Sequence, residues 1–138
     1  MKEYLYYGLK VTETDRQKLM EWLQNSDYDY LFEECSEVFI DHCTIMHKSQ
    51  HDNTTADYLD WRLNSTEFIY ITGIGWNDKA TAFKVAKTGT ISLCKNEIPH
   101  ITIGTYSKGK PVDSNTITNW KSIKPIMITT IIEKVWKS

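Results

Sequence analysis

The tetrapeptide pattern His-x-Thr-Ile occurs twice in this chain, as His42-Cys43-Thr44-Ile45 and as His100-Ile101-Thr102-Ile103. Both copies sit in strand-like runs: Val38, Phe39 and Ile40 lead into the first, Ile98 and Pro99 into the second. Side chains on a strand alternate between faces, so His42 and Thr44 share one face while Cys43 and Ile45 take the other, and His100 and Thr102 do the same. A buried core has no use for His beside Thr on one face, twice. A fold that brings the two strands together places two imidazoles and two hydroxyls around one spot. One imidazole then serves as general base and the other as general acid, while the hydroxyls donate to phosphoryl oxygens.

The other segments supply a frame for such a pair. Tyr4 to Val11 alternates Leu5, Tyr7, Leu9 and Val11 against Tyr6, Gly8 and Lys10, which predicts a half-buried strand and makes Tyr6 a candidate for stacking on a base. Thr14 and Gln17 read as a capping box for a helix carrying Leu19, Trp22 and Leu23 and ending near Asn25. Residues 27–37 are acidic and aperiodic and read as a connection, followed by the first motif strand over Val38 to Met46. A second helix spans Asn53 to Asn64, opened by Thr54 and burying Leu59 and Leu63. Phe68 to Trp76 and Lys79 to Ala86 form a hairpin through Asn77-Asp78, with Gly73 and Gly75 marking close approach and Trp76 offering a second base-stacking surface. Thr88 to Glu97 is a polar link into the strand His100 to Thr105. The loop after it carries Lys108 and Lys110, candidates for facing a phosphate. Val112 to Trp120 reads as a short helix and Ile126 to Val135 as a last strand. Within that strand Glu133 is out of place unless it lies at an edge or faces a cleft.

Length, composition and charge narrow the class. A chain of 138 residues with 41% hydrophobic and 25% charged residues is expected to form one globular domain over 1–138. No apolar run approaches the ~20 residues of a membrane span, and Met1-Lys2-Glu3-Tyr4 opens no signal peptide, so a cytoplasmic protein is expected. Cys35, Cys43 and Cys94 make neither an even disulfide set nor a C-x-x-C pair. Residues 1–65 hold 13 acids and 6 bases, residues 66–138 hold 5 acids and 10 bases. The halves therefore differ in sign, and the second can supply the positive side of a small anionic pocket. No Lys/Arg cluster of the kind a long polyanion requires is present. His47 is five residues from His42, which predicts the opposite strand face, and His51 falls in a loop, so His42, His47 and His51 are not expected to form a metal site.

The two H-x-T-x motifs resemble those of the 2H phosphoesterase superfamily. Asn77-Asp78-Lys79-Ala80, Ile98-Pro99-His100-Ile101-Thr102-Ile103 and Gly109-Lys110-Pro111-Val112-Asp113-Ser114-Asn115, with Trp120 behind, are similar to the viral and phage branch of that superfamily. That branch includes RNA-repair-like phosphodiesterases and the phage anti-CBASS phosphodiesterases of cyclic oligonucleotides. The resemblance implies an α+β domain of two lobes, with mostly antiparallel central strands forming a cleft and helices packed outside. It implies a metal-independent, cofactor-free phosphodiesterase in which His42 and His100 are acid and base and Thr44 and Thr102 hold the non-bridging oxygens. The first expected substrate is a cyclic di- or trinucleotide second messenger, cut at its 3'-5' bonds in the cytoplasm of a phage's host, with no long nucleic acid and no membrane required. The alternatives are an RNA-end 2',3'-cyclic phosphodiesterase and a catalytically idle module that sequesters a nucleotide.

Overall fold

The computed structural model describes residues 3–137. The chain runs β1 (Tyr4–Val11), α1 (Glu13–Gln24), α2 (Asp29–Glu33), β2 (Glu37–Val38), β3 (His42–His47), α3 (Asn53–Trp61), β4 (Thr66–Trp76), β5 (Ala80–Val85), β6 (His100–Thr105) and β7 (Asn119–Trp136). Single 3-10 turns at Lys48–Gln50, Gly89–Leu93 and Pro111–Thr116 punctuate it. Strands pair in the order β2-β6-β3-β1-β7-β4-β5, and β5 pairs again with β6. Six strands thus close into an antiparallel barrel, with β2 a short addition along β6.

One face of every barrel strand is apolar and feeds a continuous core. Tyr7 and Leu9, Cys43 and Ile45, Ile69 and Ile71, Phe83 and Val85, Ile101 and Ile103, and Ile128 and Ile132 are all buried. Leu19 and Leu23, at i,i+4 on α1, join them, and so do Ala56 and Leu59, at i,i+3 on α3, which gives each helix one apolar face toward the core. The α+β class and the antiparallel strands match the expectation, but a closed barrel stands where two lobes were expected. The reason lies in β7 and β4. β7 is 18 residues long and pairs with β1 and β4 together. Its register against β4 jumps between Ile71 and Gly73, where Pro125 occupies the bulge. Such a bulge bends the strands and lets β5 swing round to β6.

Several boundaries move for identifiable reasons. The helix α1 is capped by Thr12, not Thr14: Thr12 is extended (φ -66, ψ 151) and its side chain accepts from Asp15 N. The segment 27–37 holds the five-residue helix α2. The helix α3 is capped by Asp52 and ends at Trp61. A 3-10 turn replaces the expected helix after Val112, and β7 begins at Asn119. The expected strand from Val38 to Met46 is broken at Ile40, whose φ of 50 is left-handed. Phe39 N and Ile40 N donate to Ile103 O and Thr102 O, whereas Asp41 O accepts from Val11 N. The chain leaves β6 and joins β1 at that point. A β-branched residue there costs about 1–3 kcal/mol, held in place by the complete burial of Ile40.

The crossing depends on Gly104. A Cβ at Gly104 would lie 2.5 Å from Cys35 Sγ and 2.6 Å from Glu37 O, because β2 runs directly over it. Gly104→Ala is therefore expected to destabilise the protein by about 1–3 kcal/mol as an overpacking change, measured as a lowered denaturation midpoint. An unchanged midpoint would mean that β2 is loosely held.

Candidate active site

The strands β3 and β6 meet through Cys43 and Ile101. Continuing the antiparallel register from this one pair sets His42 toward Thr102 and Thr44 toward His100. Cys43, Ile45, Ile101 and Ile103 are buried on the far face, so the four polar side chains form a square on the near one. Neighbouring strands extend this into two rows. One runs Glu133, Gly8, Thr44, His100, Lys84; the other runs Ile131, Lys10, His42, Thr102, Ala82.

The two imidazoles are held differently. His100 Nδ1–H donates to Ile98 O at 2.8 Å, which leaves Nε2 as the acceptor of the neutral ring. Burial, and then the charge of His42, holds His100 below the usual histidine pKa. His42 Nδ1 instead faces a carboxylate, donating to Asp41 Oδ1 at 2.8 Å, and its Nε2 lies 3.1 Å from Thr44 Oγ1. That hydrogen bond from His42 is the main cause holding the Asp41 carboxyl below the ordinary range. The geometry thus pairs a ring kept neutral with a ring beside an anion.

Tyr6 completes the setting of His42. Its ring stacks on the imidazole at 4.6 Å and 20°, and its hydroxyl lies 3.4 Å from Nδ1. It reaches there across Gly8, where a Cβ would stand 3.1 Å from the tyrosine ring and from Cys43 O. Burial, then the nearby Glu133, pushes the phenol up to about 12, so it stays protonated. Thr102 Oγ1 and the buried Ser114 Oγ are 3.0 Å apart, which ties the motif to the 3-10 turn over Pro111–Thr116. A cavity of about 550 Å³, ordinary for a small-ligand site, is lined by His42, Thr44, His100 and Thr102 together with Asp41, His47, Gln50, Asn96 and Asn115.

The placement of His47 corrects a sequence expectation. Gly8 pairs with Thr44 and Tyr7 with Met46, so Ile45 is an extra residue in β3. Ile45 and Met46 both turn to the core, and His47 returns to the face of His42 and lines the cavity. A single bulge inverts the parity on which the expectation rested. His51 lies apart, hydrogen-bonded to Tyr4 and Asn53. Among the described residues no three His, Cys, Asp or Glu side chains are grouped to hold a metal ion.

The remaining candidates divide. Glu133 lies opposite Gly8 on the site face, its carboxyl raised above the ordinary range by burial first, with Lys10 and His42 pulling the other way. Tyr6 is in the site, but one ring face is spent on His42. Trp76 is not brought to the square: Gly75 shares the face of Ala82, so Trp76 turns the other way and packs near Tyr28. Lys108 and Lys110 do not line the cavity, although Pro111 and Val112 directly after them do. Sequence reasoning passed over Asp41, Lys84, Asn96 and Ser114. Asp41 adjoins His42, and Lys84 follows from alternation along β5; Asn96 and Ser114 arrive on loops that carry no periodic signal.

Two adjacent His-x-Thr strands in a closed antiparallel framework, their four polar side chains squared on one cavity, define a 2H-type phosphoesterase. Residues 25–133 match the model of the Fungal tRNA ligase phosphodiesterase domain, and the chain belongs to that family of phosphodiesterases. The solved structure of a fungal RNA kinase is similar in fold, with a TM-score of 0.65 at 15% identity. That likeness covers 98% of this chain and 46% of the other, so the chain spans just under half the length of that protein. No curated protein matches the sequence.

Proposed function

We propose that the protein opens 2',3'-cyclic phosphates at RNA ends. The observation that carries this reading is the unequal holding of the two histidines around one cavity that they share with Thr44 and Thr102, supported by the name of the family. In the proposed step His100 Nε2 takes a proton from water, and the water oxygen bonds to phosphorus. The bond from phosphorus to one ribose oxygen breaks, and His42 delivers a proton to that oxygen, leaving a phosphate monoester. Thr44 and Thr102 donate to the non-bridging oxygens, where charge accumulates. Lys84, beside His100 in its row, adds positive charge on the same side.

The cyclic-oligonucleotide reading of the phage branch loses its main support, since Trp76 is not available in the cavity for a base. A panel of cyclic di- and trinucleotides, RNA with a 2',3'-cyclic phosphate end, and tRNA fragments, with products resolved by mass, tests the choice. Opening of RNA ends ahead of every cyclic oligonucleotide is expected; the reverse order would return the case to the phage branch, and binding without turnover would make the protein an idle module. Two imidazoles and two hydroxyls account for the protons and the charge, so turnover is expected to survive EDTA. Loss on chelation, restored by a divalent ion, would bring His42 and His47 back as metal ligands.

A further inference from the structure

The face that carries the square does not end at His42. Beyond it the row passes Lys10 on β1 and Ile131 on β7 and reaches β4, where Thr66 pairs with Ile131, Phe68 with Thr129 and Tyr70 with Met127. Phe68 and Tyr70 are two residues apart and share this face, as do Met127 and Ile131. All four are exposed, at 57%, 44%, 48% and 39%. An apolar, aromatic sheet surface left open beside a phosphate site is unusual, because isolated exposed apolar residues are common but contiguous patches mark contacts.

The patch has the surroundings that a nucleic acid needs. Lys10 is exposed, stands between the patch and His42, and forms no ion pair among the described residues. Lys18 reaches the far side and donates to Met127 O. Of the nearby carboxylates, Asp15 accepts from Thr129 N and Glu67 lies on the other face with Arg62 and Thr90, while Glu133 shares the face and lies within the field of Lys10. Counted along the sheet at ~4.8 Å per strand, β4 lies three strands, about 14 Å, from β3, and Phe68 and Tyr70 lie beyond Thr66, the β4 residue in the row of His42, so a strand of several nucleotides is needed to reach them from the square.

We infer that Phe68 and Tyr70, with Met127 and Ile131 around them and Lys10 as the bridge, form a stacking platform for single-stranded RNA whose 3' end occupies the His/Thr square. This rests on the proposed RNA-end reading. Bases stack on exposed rings without regard to sequence, while Lys10 meets the phosphate in between. The platform therefore selects for strand length and not for base identity. It also explains how the protein engages an RNA strand without a long basic stripe: the tertiary fold gathers lysines that are separate in sequence along one short path.

The test compares wild type with the double variant Phe68→Ala, Tyr70→Ala and with Lys10→Ala. All three residues are exposed, and folding is checked by the denaturation midpoint. Two readouts are taken: KM for a nucleoside 2',3'-cyclic phosphate and for a short single-stranded RNA ending in the same group, and equilibrium binding of a fluorescent RNA with a 2'-phosphate end, which needs no turnover. The double variant is expected to raise KM and Kd for the RNA about tenfold or more and leave the nucleoside substrate unchanged. Lys10→Ala is expected to flatten the salt dependence of RNA binding. Wild type that handles both substrates with equal KM, or a double variant that binds RNA normally, would overturn the platform and leave the catalytic reading standing. RNA binding that depends on Phe68 and Tyr70 without turnover of any cyclic end would do the opposite. Self-association that vanishes in the double variant, with RNA binding intact, would assign the patch to a second copy and overturn the proposal.

Discussion

His100→Ala is expected to lower turnover of a nucleoside 2',3'-cyclic phosphate by about 10²–10⁴-fold, and His42→Ala by a similar factor, with folding retained in both. Both side chains are only partly buried on the site face, and the core beneath them is built from Cys43, Ile45, Ile101 and Ile103. Their loss therefore removes chemistry before it removes packing. Because the two rings serve one proton relay, the double variant should be little worse than either single one. The pH profile should be a bell whose limbs belong to the coupled pair. Its acid limb is expected below 6.5, the ordinary histidine value, because His100 is held down by burial and by the charge of His42. Activity rises with pH as His100 loses its proton and becomes a base. Turnover persisting in either single variant would exclude the two-histidine mechanism, and an acid limb above 6.5 would reverse the roles of the two rings.

Phe83→Ala is the substitution expected to cost the fold most, about 3–5 kcal/mol. Phe83 is fully buried, pairs with Ile101 across β5 and β6, and meets the edge of Trp22 on α1 at 6.0 Å. Truncation removes the transfer energy of the ring and opens a cavity directly behind the second motif strand. Chemical denaturation should report the loss as a lower midpoint. At temperatures where the variant remains folded, the pH profile should keep its shape, since no polar group of the square changes. A loss under 1 kcal/mol would show that the core collapses around the vacancy or that α1 is not held through this contact.

The elements whose signals are local were legible residue by residue. β1 and β6 stand at their expected boundaries because each alternates strictly and touches the core on one face. The hairpin at Asn77 forms as its sequence indicates, since Asn77 Oδ1 accepts from Lys79 N and Ala80 N. Thr14 was a plausible cap, but Thr12 is the residue whose backbone is extended as β1 ends, and that depends on where β1 stops pairing. Trp76 looked available because it follows two glycines; the phase of β4 after its register jump turns it to the helix side.

By itself the sequence determined the polar square in kind: two His-x-Thr strands, each with its apolar residues on the other face. This follows from the two-residue period of a strand, which needs no knowledge of partners. Which strand lies beside which, and with what register, was decided only by the tertiary structure. The kink at Ile40, the extra residue Ile45 in β3 and the bulge at Pro125 each shift a strand's phase or direction. One shifted residue exchanges the faces of everything beyond it. His47 therefore joined the cavity, Trp76 stayed out of it, and Asp41, Lys84 and Ser114 came to stand beside the two histidines, because their positions depend on strand pairing and loop closure between residues far apart in the chain.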